Sequence, residues 1–372
     1  MKDKKIIHIT NAHAVDDPRV FGRHALTLVD SGYNVSFIGP FDKGDRFNKG
    51  VRVIGLGQYR TRWRRYTTLN IQILIKILKL RPDIIEFHDP DLVFLVIIPK
   101  MLGIKVIGNL HEDIASQVLN KYWIQKDLRL FLNKFLERFY PKLIKIVCNG
   151  VVCATSSIGK SYSEANMAVC RNFPSSEFVK DEYALKKRIL NPEKKALHLV
   201  YVGVLEKRRG LDDMIKISES KLVSKLTLVG KFSPAGLEGQ IRRKLSDDSK
   251  IEIVGEVRHE EVYKFIANSD VGVCFLERNK AYSESIPTKI FEYAYLGLPV
   301  IANNFSSIAE LNHESRFGIL LDQINQKSVE KALLEILQNY QSYADSSFKS
   351  RKIFSWNNEK NKYLEIIENV LR

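Results

Sequence analysis

Short apolar runs alternate along this chain with longer stretches whose apolar positions recur every three or four residues. The runs Lys5–Ile9, Asn34–Ile38, Val51–Gly55, Ile84–His88, Lys105–Asn109 and Val151–Ala154 read as strands, and Arg19–Ser31, Leu69–Leu80, Leu92–Leu102 and Asp127–Lys145 read as helices between them. Runs this apolar suit strands covered on both faces, and strands alternating with helices imply a parallel sheet. After Asn191-Pro192-Glu193-Lys194-Lys195 the alternation begins again, through Leu197–Val202, Lys225–Val229, Ile251–Val254, Val271–Phe275, Pro299–Ala302 and Gly318–Leu320. The expected fold class is therefore α/β, with two Rossmann-like, doubly wound parallel-sheet domains at 1–172 and 173–355. Segment 170–195, with Arg171-Asn172-Phe173-Pro174, is the expected linker.

The bulk properties fit this plan and narrow the partners. A chain of 372 residues can hold two cores, and 45% apolar with 27% charged residues is ordinary for a globular protein. The start, Met1 to Ile9, reads as a first strand rather than a signal peptide. The longest apolar run, Leu92–Ile98, ends at Pro99-Lys100 and is too short to span a bilayer. The four cysteines, Cys148, Cys153, Cys170 and Cys274, lack metal-ligand spacing and read as buried reduced thiols, so no metal is expected.

Charge changes the picture more. The 58 basic residues exceed the 43 acidic ones by 15, which calls for a polyanionic partner. Arg60, Arg62, Trp63, Arg64 and Arg65 precede a helix that is apolar around much of its circumference. Arginines among aromatics have the composition of a patch for an anionic membrane surface; a solvated basic loop before an ordinary core helix is the other reading. Nucleic acid is not expected, since no recognised binding module accompanies the charge.

The densest stretch is residues 284–301, Glu-Ser-Ile-Pro-Thr-Lys-Ile-Phe-Glu-Tyr-Ala-Tyr-Leu-Gly-Leu-Pro-Val-Ile. Glu284 and Glu292 flank a helix start at Pro287, with Ser285 as the expected cap and Gly297 as the expected stop. Helical side chains lean toward the N-terminus, so Glu292 aims at the end whose free N–H groups favour anions. Carboxylates aimed there suit a ligand carrying both negative groups and hydroxyls, as a sugar nucleotide does. An amphipathic helix with a buried, hydrogen-bonded Glu would show the same pair.

With Pro287-Thr288-Lys289-Ile290-Phe291 before Glu292 and Gly297-Leu298-Pro299-Val300 after it, the stretch resembles the signature of family-4-type retaining glycosyltransferases of the GT-B fold, as found in bacterial surface-polysaccharide synthesis. The resemblance implies an active site in the cleft between the two domains. It implies that Glu292 holds the ribose hydroxyls of the donor nucleotide and that Glu284 lies against the donor sugar, with Thr288 and Lys289 beside them. It further implies that the last helix, 356–372, packs back on the first domain, which binds the acceptor while the second binds the donor.

Two more constellations acquire roles from the same resemblance. Leu199 to Asp212 reads as strand, glycine turn and helix start, where Gly203 lets a ligand approach the backbone. The family pattern there is Gly-Arg-Leu, three residues, then Lys-Gly. This chain keeps Gly203, Leu205 and Gly210, has Arg209 in the Lys place, and has Val204 where the diphosphate-gripping Arg is expected, with Arg208 or Lys207 as substitutes. Lys231 follows the next turn, and Val257 and Arg258 are the candidates for contact with the base. In the first half, His111 ends a strand and takes the family's role in turnover: its neutral form can donate to the donor, and its charged form can steady a departing phosphate. The loop carrying His13, Asp16 and Arg19 resembles the Asp-Pro-Arg-Val version, whose loop faces the acceptor; Asp17 and Pro18 also read simply as cap and first helical residue. His88 and Asp89 are further candidates for lining the acceptor site.

The expected activity is transfer of a sugar from a nucleotide-diphosphate sugar, UDP favoured and GDP possible, to a lipid-linked or growing surface saccharide with retained configuration. Catalysis is assigned to His111, Glu284 and Arg209, without cofactor or metal, at the cytoplasmic face of the membrane. A sugar-nucleotide epimerase on a similar scaffold, or a nonenzymatic polyanion-binding protein, are the alternatives.

Overall fold

In the computed structural model the described residues are 3–59, 61–111, 113–119, 121, 124–175, 179, 183, 188–246, 248–279, 282–283 and 286–372, with the side chain of Arg62 left out. They form two compact units, Met1–Asn172 with Trp356–Arg372, and Phe173–Ser355.

The first unit is built on an eight-stranded sheet. Its strands are β1 (Lys5–Ile9), β2 (Asn34–Gly39), β3 (Gly44–Asn48), β4 (Val51–Gly55), β5 (Ile84–Phe87), β6 (Lys105–Leu110), β7 (Gly150–Cys153) and β8 (Met167–Val169), in the order β3-β4-β2-β1-β5-β6-β7-β8. All neighbours are parallel except β3, which pairs antiparallel with β4 and is exposed throughout. The sequence pattern missed β3 because its one large apolar residue, the exposed Phe47, makes no apolar run in an edge strand whose side chains all meet water. Both faces of the sheet are covered, Ile6, Ile84 and Ile107 packing in one layer and Ile7, Ile85 and Val106 in the other. The helix Trp356–Leu371 covers the first layer through Tyr363, Ile366, Ile367 and Val370. It is pinned by Trp356 Nε1 donating to Thr27 Oγ1 at 2.9 Å.

Two helical expectations need correction. Leu92–Leu102 is broken into a 3-10 turn, Pro90–Val93, and a short helix, Ile97–Met101. Pro90 fixes the early turn, and Pro99 inside the second piece lacks the N–H that a continuous helix would use. Arg19–Ser31 begins with a π-helical stretch, Val20–Ala25, before Leu26–Asp30; this stretch carries Arg23 and His24 into the interior.

The second unit is a six-stranded, wholly parallel sheet: β9 (Leu197–Val202), β10 (Val223–Val229), β11 (Ile251–Gly255), β12 (Val271–Cys274), β13 (Val300–Asn303) and β14 (Gly318–Leu321), ordered β11-β10-β9-β12-β13-β14. The order reverses between β9 and β12, and in such sheets ligands bind beyond the carboxyl ends of the strands at that switch. The first unit has its reversal between β1 and β5. Two α/β sheets of this winding make the chain a GT-B fold.

The turns after β9 and β10 are stacked. Gly203 has φ +121° and Gly230 φ +139°, and a Cβ on Gly230 would stand 2.0 Å from the carbonyl oxygen of Gly203. Gly230→Ala is therefore expected to cost the second unit about 2 kcal/mol or more, from backbone strain and forced separation of the two turns. Chemical denaturation checks this, and an unchanged midpoint would contradict the stacking.

Candidate functional site

At the carboxyl end of the first sheet, the polar residues of three neighbouring strands fall on one face. Along β1 the inward positions run Ile6, His8, Thr10; along β5, Ile84, Glu86, His88; along β6, Ile107, Asn109, His111. His8 lies in register with Glu86. Each series starts apolar in the core and turns polar toward the strand end, where the loops begin.

These groups form one hydrogen-bonded network. Glu86, fully buried, accepts from Tyr363 Oη at 2.6 Å and from Asn109 Nδ2 at 2.5 Å. His8 Nδ1 meets His88 Nε2 at 2.9 Å, and His88 Nδ1 meets His111 Nε2 at 3.3 Å, with the rings of His88 and His111 stacked 5.6 Å apart. His24 stacks on Tyr363 at 4.6 Å and meets Asn109 Nδ2 at 2.7 Å. Burial pushes His8 down to about 4 and holds His88 and His111 well below the usual imidazole range. Burial opposes ionisation of Glu86, but the neighbouring His8 and His24 and the Tyr363 hydrogen bond hold it down at about 2. The result is a carboxylate beside the neutral imidazoles of His8 and His88. This corrects one expectation: His111 is tuned to its neutral form, and imidazolium is disfavoured. Among the described residues, His8, Glu86 and His88 also bring metal-ligand atoms within 4.8 Å of one another, with the two imidazoles bonded to each other.

The acceptor candidates separate into distinct roles. The Asp17 carboxylate accepts from the N–H groups of Arg19 and Val20, both at 2.9 Å, and lies 3.2 Å from His13 Nδ1. Burial opposes its ionisation, but the His13 hydrogen bond and the Arg19 charge hold it far below the carboxylate range. Asp17 is thus the cap of this helix start. Asp89 does not cap the turn that follows it. Its carboxylate reaches across to Thr10 Oγ1 at 2.6 Å and Asn11 N at 2.8 Å, because the β1 and β5 loops leave adjacent strands. Asp89 and His88 are both buried, and Asp89 Oδ1 also lies 3.8 Å from His13 Nε2. Asp16 is exposed, His13 is half-buried, and Arg19 keeps its Nε buried without a hydrogen-bond partner among the described residues.

In the second unit the candidates gather beyond β9 to β12. Gly203 is exposed, and a 3-10 turn, Lys207–Arg209, leads through Gly210 into the helix Leu211–Ser218. Arg209 Nε donates to Glu206 Oε1 at 2.8 Å, and Arg208 Nε lies 3.8 Å from Glu277. The signature helix runs Thr288–Tyr295; Pro287 occupies the extended position before it rather than the first turn, and Gly297 follows with φ +68°. Thr288 is exposed, whereas Lys289 and Glu292 are both buried on the inner side. Glu292 Oε1 lies 3.7 Å from His259 Nε2. Lys289 Nζ stands 3.7 Å above the centroid of the Tyr201 ring. Lys231 approaches Glu256 at 3.7 Å, and Arg258 is part of a capping box with Glu261. The Arg258 backbone N–H donates to Glu261 Oε2 and its carbonyl accepts from Glu261 N, leaving the Val257 backbone as the candidate base contact. Glu284 and Ser285 lie outside the described residues, as does Arg60.

The sequence reading missed His8, His24, Glu86, Asn109 and Tyr363. The available signal was polar residues at inward positions of otherwise apolar strands. All four cysteines are free, and burial raises Cys148 and Cys153 to about 12.

Residues 19–168 match the family model described as Glycosyltransferase Family 4, and residues 196–339 match that of Glycosyl transferases group 1. Among curated proteins, a probable sucrose-phosphate synthase of Vicia faba is 26% identical over 167 residues, which are 44% of this chain and 14% of that protein. The match thus spans about one seventh of that relative's length. Among solved structures, sucrose-phosphate synthase from Thermosynechococcus elongatus is 14% identical with TM-score 0.74, covering 99% of both chains. The Anabaena protein HepE in complex with UDP-glucose is 12% identical with TM-score 0.70, covering 98% of this chain and 99% of that one. WaaG, a glycosyltransferase involved in lipopolysaccharide biosynthesis, is 15% identical with TM-score 0.69, covering 97% and 99%. At these identities the structural likeness is one of fold.

Proposed function

The chain belongs to the glycosyltransferases of the family-4 type, and on that premise we propose that it transfers a sugar from a nucleotide-diphosphate sugar to a saccharide hydroxyl. UDP-sugars are favoured over GDP-sugars as donors, the configuration is retained, and no metal or cofactor takes part. The observation that carries this reading is the cluster at the switch point of the second sheet, where an exposed glycine turn, two arginines and the inner side of the signature helix come together. HepE, of the same fold, was solved with UDP-glucose.

Each residue then has a task. Glu292 accepts hydrogen bonds from the ribose diol, which one carboxylate can do twice. Glu284 positions the donor sugar. Arg208, Arg209 and Lys231 surround the diphosphate with positive charge that stabilises it as it leaves. In a front-face attack the acceptor oxygen bonds to the anomeric carbon as the bond to the phosphate oxygen breaks. The acceptor proton passes to that phosphate. His111, neutral, offers an N–H to the donor. His13, Asp16 and Arg19 are assigned to the acceptor.

The acceptor is a lipid-linked or growing surface saccharide, met at the inner face of the cell membrane. Trp63 is 77% exposed beside Arg64 and Arg65. Phe131, Phe135 and Phe139 form an exposed stacked row on the helix Lys126–Val147, among Lys134, Arg138 and Lys142. Aromatics among cations suit an anionic headgroup layer. No described helix is long and apolar enough to cross a membrane.

A thermal-shift panel of nucleotide sugars tests the donor assignment. One base series is expected to raise the melting temperature by several degrees, as mass action requires of a ligand well above its Kd. No response to any member would refute it.

A further inference from the structure

We infer that the ε-amine of Lys289 is a further cation of the diphosphate subsite, supplying the charge that the chain lacks at Val204. The inference rests on the donor reading above and goes beyond it by naming the group that grips the phosphate.

Lys289 is 6% exposed, and its Nζ is buried without a hydrogen-bond partner among the described residues. An ammonium taken out of water without a counter-ion is costly, and the Tyr201 face 3.7 Å below it replaces only part of the lost hydration. Such a group is a functional candidate when it stands where a ligand is expected. A methionine of similar length would fill the same space without that cost, so packing alone does not account for an amine here.

Its position gives the use. A Cβ added to Gly203 would come within 3.2 Å of Lys289 Nζ, so the amine lies directly against the exposed turn that a ligand's phosphate would approach. Lys289 also follows Thr288 in the first turn of its helix, the end that favours negative charge. The other cations of this corner already have carboxylates beside them: Glu206 is 2.8 Å from Arg209 Nε, and Glu277 is 3.8 Å from Arg208 Nε. Among the described residues Lys289 makes no ion pair. Val204 is a neighbour of Gly203 on the same turn, so a cation rising from the helix beneath serves the place that an arginine at 204 would reach from the chain itself. Burial lowers the amine to about 8, close enough to neutrality for it to remain mainly charged at pH 7 and to lose its charge just above.

Calorimetry with UDP and with uridine, on the full chain and on Lys289→Met, tests this. The wild type is expected to bind UDP more tightly than uridine. Lys289→Met should weaken UDP binding at least tenfold and leave uridine binding unchanged. Wild-type UDP affinity should also fall as pH rises from 7 to 9, with the variant flat over that range. Undiminished UDP binding by Lys289→Met would overturn the inference alone. So would an equal loss for UDP and uridine, which would mark a disturbed pocket rather than a missing charge. Failure of the wild type to bind UDP would overturn the donor reading and this assignment with it.

Discussion

Replacement of Glu292 by Gln is expected to weaken nucleoside-diphosphate-sugar binding by ten- to a hundredfold while leaving the unfolding midpoint close to that of the wild type. A charged acceptor contributes roughly 1.5–3 kcal/mol per hydrogen bond, and each 1.4 kcal/mol is a factor of about ten in Kd. Glu292 is buried on the inner side of the helix Thr288–Tyr295, with His259 as its nearest basic neighbour at 3.7 Å. Among the described residues no hydrogen bond ties its carboxylate to the fold, so the amide of Gln keeps the volume and removes only the ionised acceptor. A 2′-deoxyribose donor supplies the complementary deletion. The wild type should lose affinity for it, and Glu292→Gln should lose little more, since both changes remove the same contact. Additive losses, or a variant that binds like the wild type, would show that this carboxylate does not read the ribose.

Acidification is expected to destabilise the first unit in two successive windows. His8 titrates at about 4 in the folded chain against about 6.5 when free, so between those values the unfolded chain binds more protons and stability falls with pH. That difference alone is worth about 3 kcal/mol, to order of magnitude. His88 and His111, both held well below the usual range by burial, act in the same direction. Glu86, held near 2, adds its own loss only below its unfolded value of about 4.5. The Trp356 ring lies 5.1 Å from that of His24, tilted 44° to it, and reports on this unit. A variant retaining it as sole tryptophan should show a denaturation midpoint that drops steadily from pH 7 to pH 4, and His8→Asn should flatten the upper part of the curve. A midpoint constant over that range would show that the network does not hold its imidazoles neutral.

Most of the strand ladder was legible because strands buried on both faces are written as apolar runs, and every strand expected from such a run is present. Edge strand β3 carried no such run. The helix break at Pro90 and Pro99 is a case of local backbone chemistry overriding an apolar stretch. For the site, local motifs such as Gly203, Arg209 and Lys289 to Glu292 were readable because their spacing in sequence is their spacing in space. The His8, His24, Glu86, Asn109 and Tyr363 network was not, since its members come from five separate segments. The strand order, which puts β1 beside β5 and β5 beside β6, brings His8, Glu86 and Asn109 together, and two helices laid on that layer add His24 and Tyr363. The contacts of Asp89 were hidden for the same reason: its partners, Thr10 and Asn11, are far away in sequence.

The helix Trp356–Leu371 has a bearing on biosynthesis. The chain leaves the first unit at Asn172 and re-enters it at Trp356, with the whole second unit in between. A ribosome therefore delivers Glu86 long before it delivers the Tyr363 hydroxyl that Glu86 accepts from. Until then the nascent first unit carries a core carboxylate short of a donor and an uncovered apolar layer around Ile6 and Ile107. The second unit, continuous in sequence, has no such wait, so the later-made half can settle before the earlier-made one is sealed.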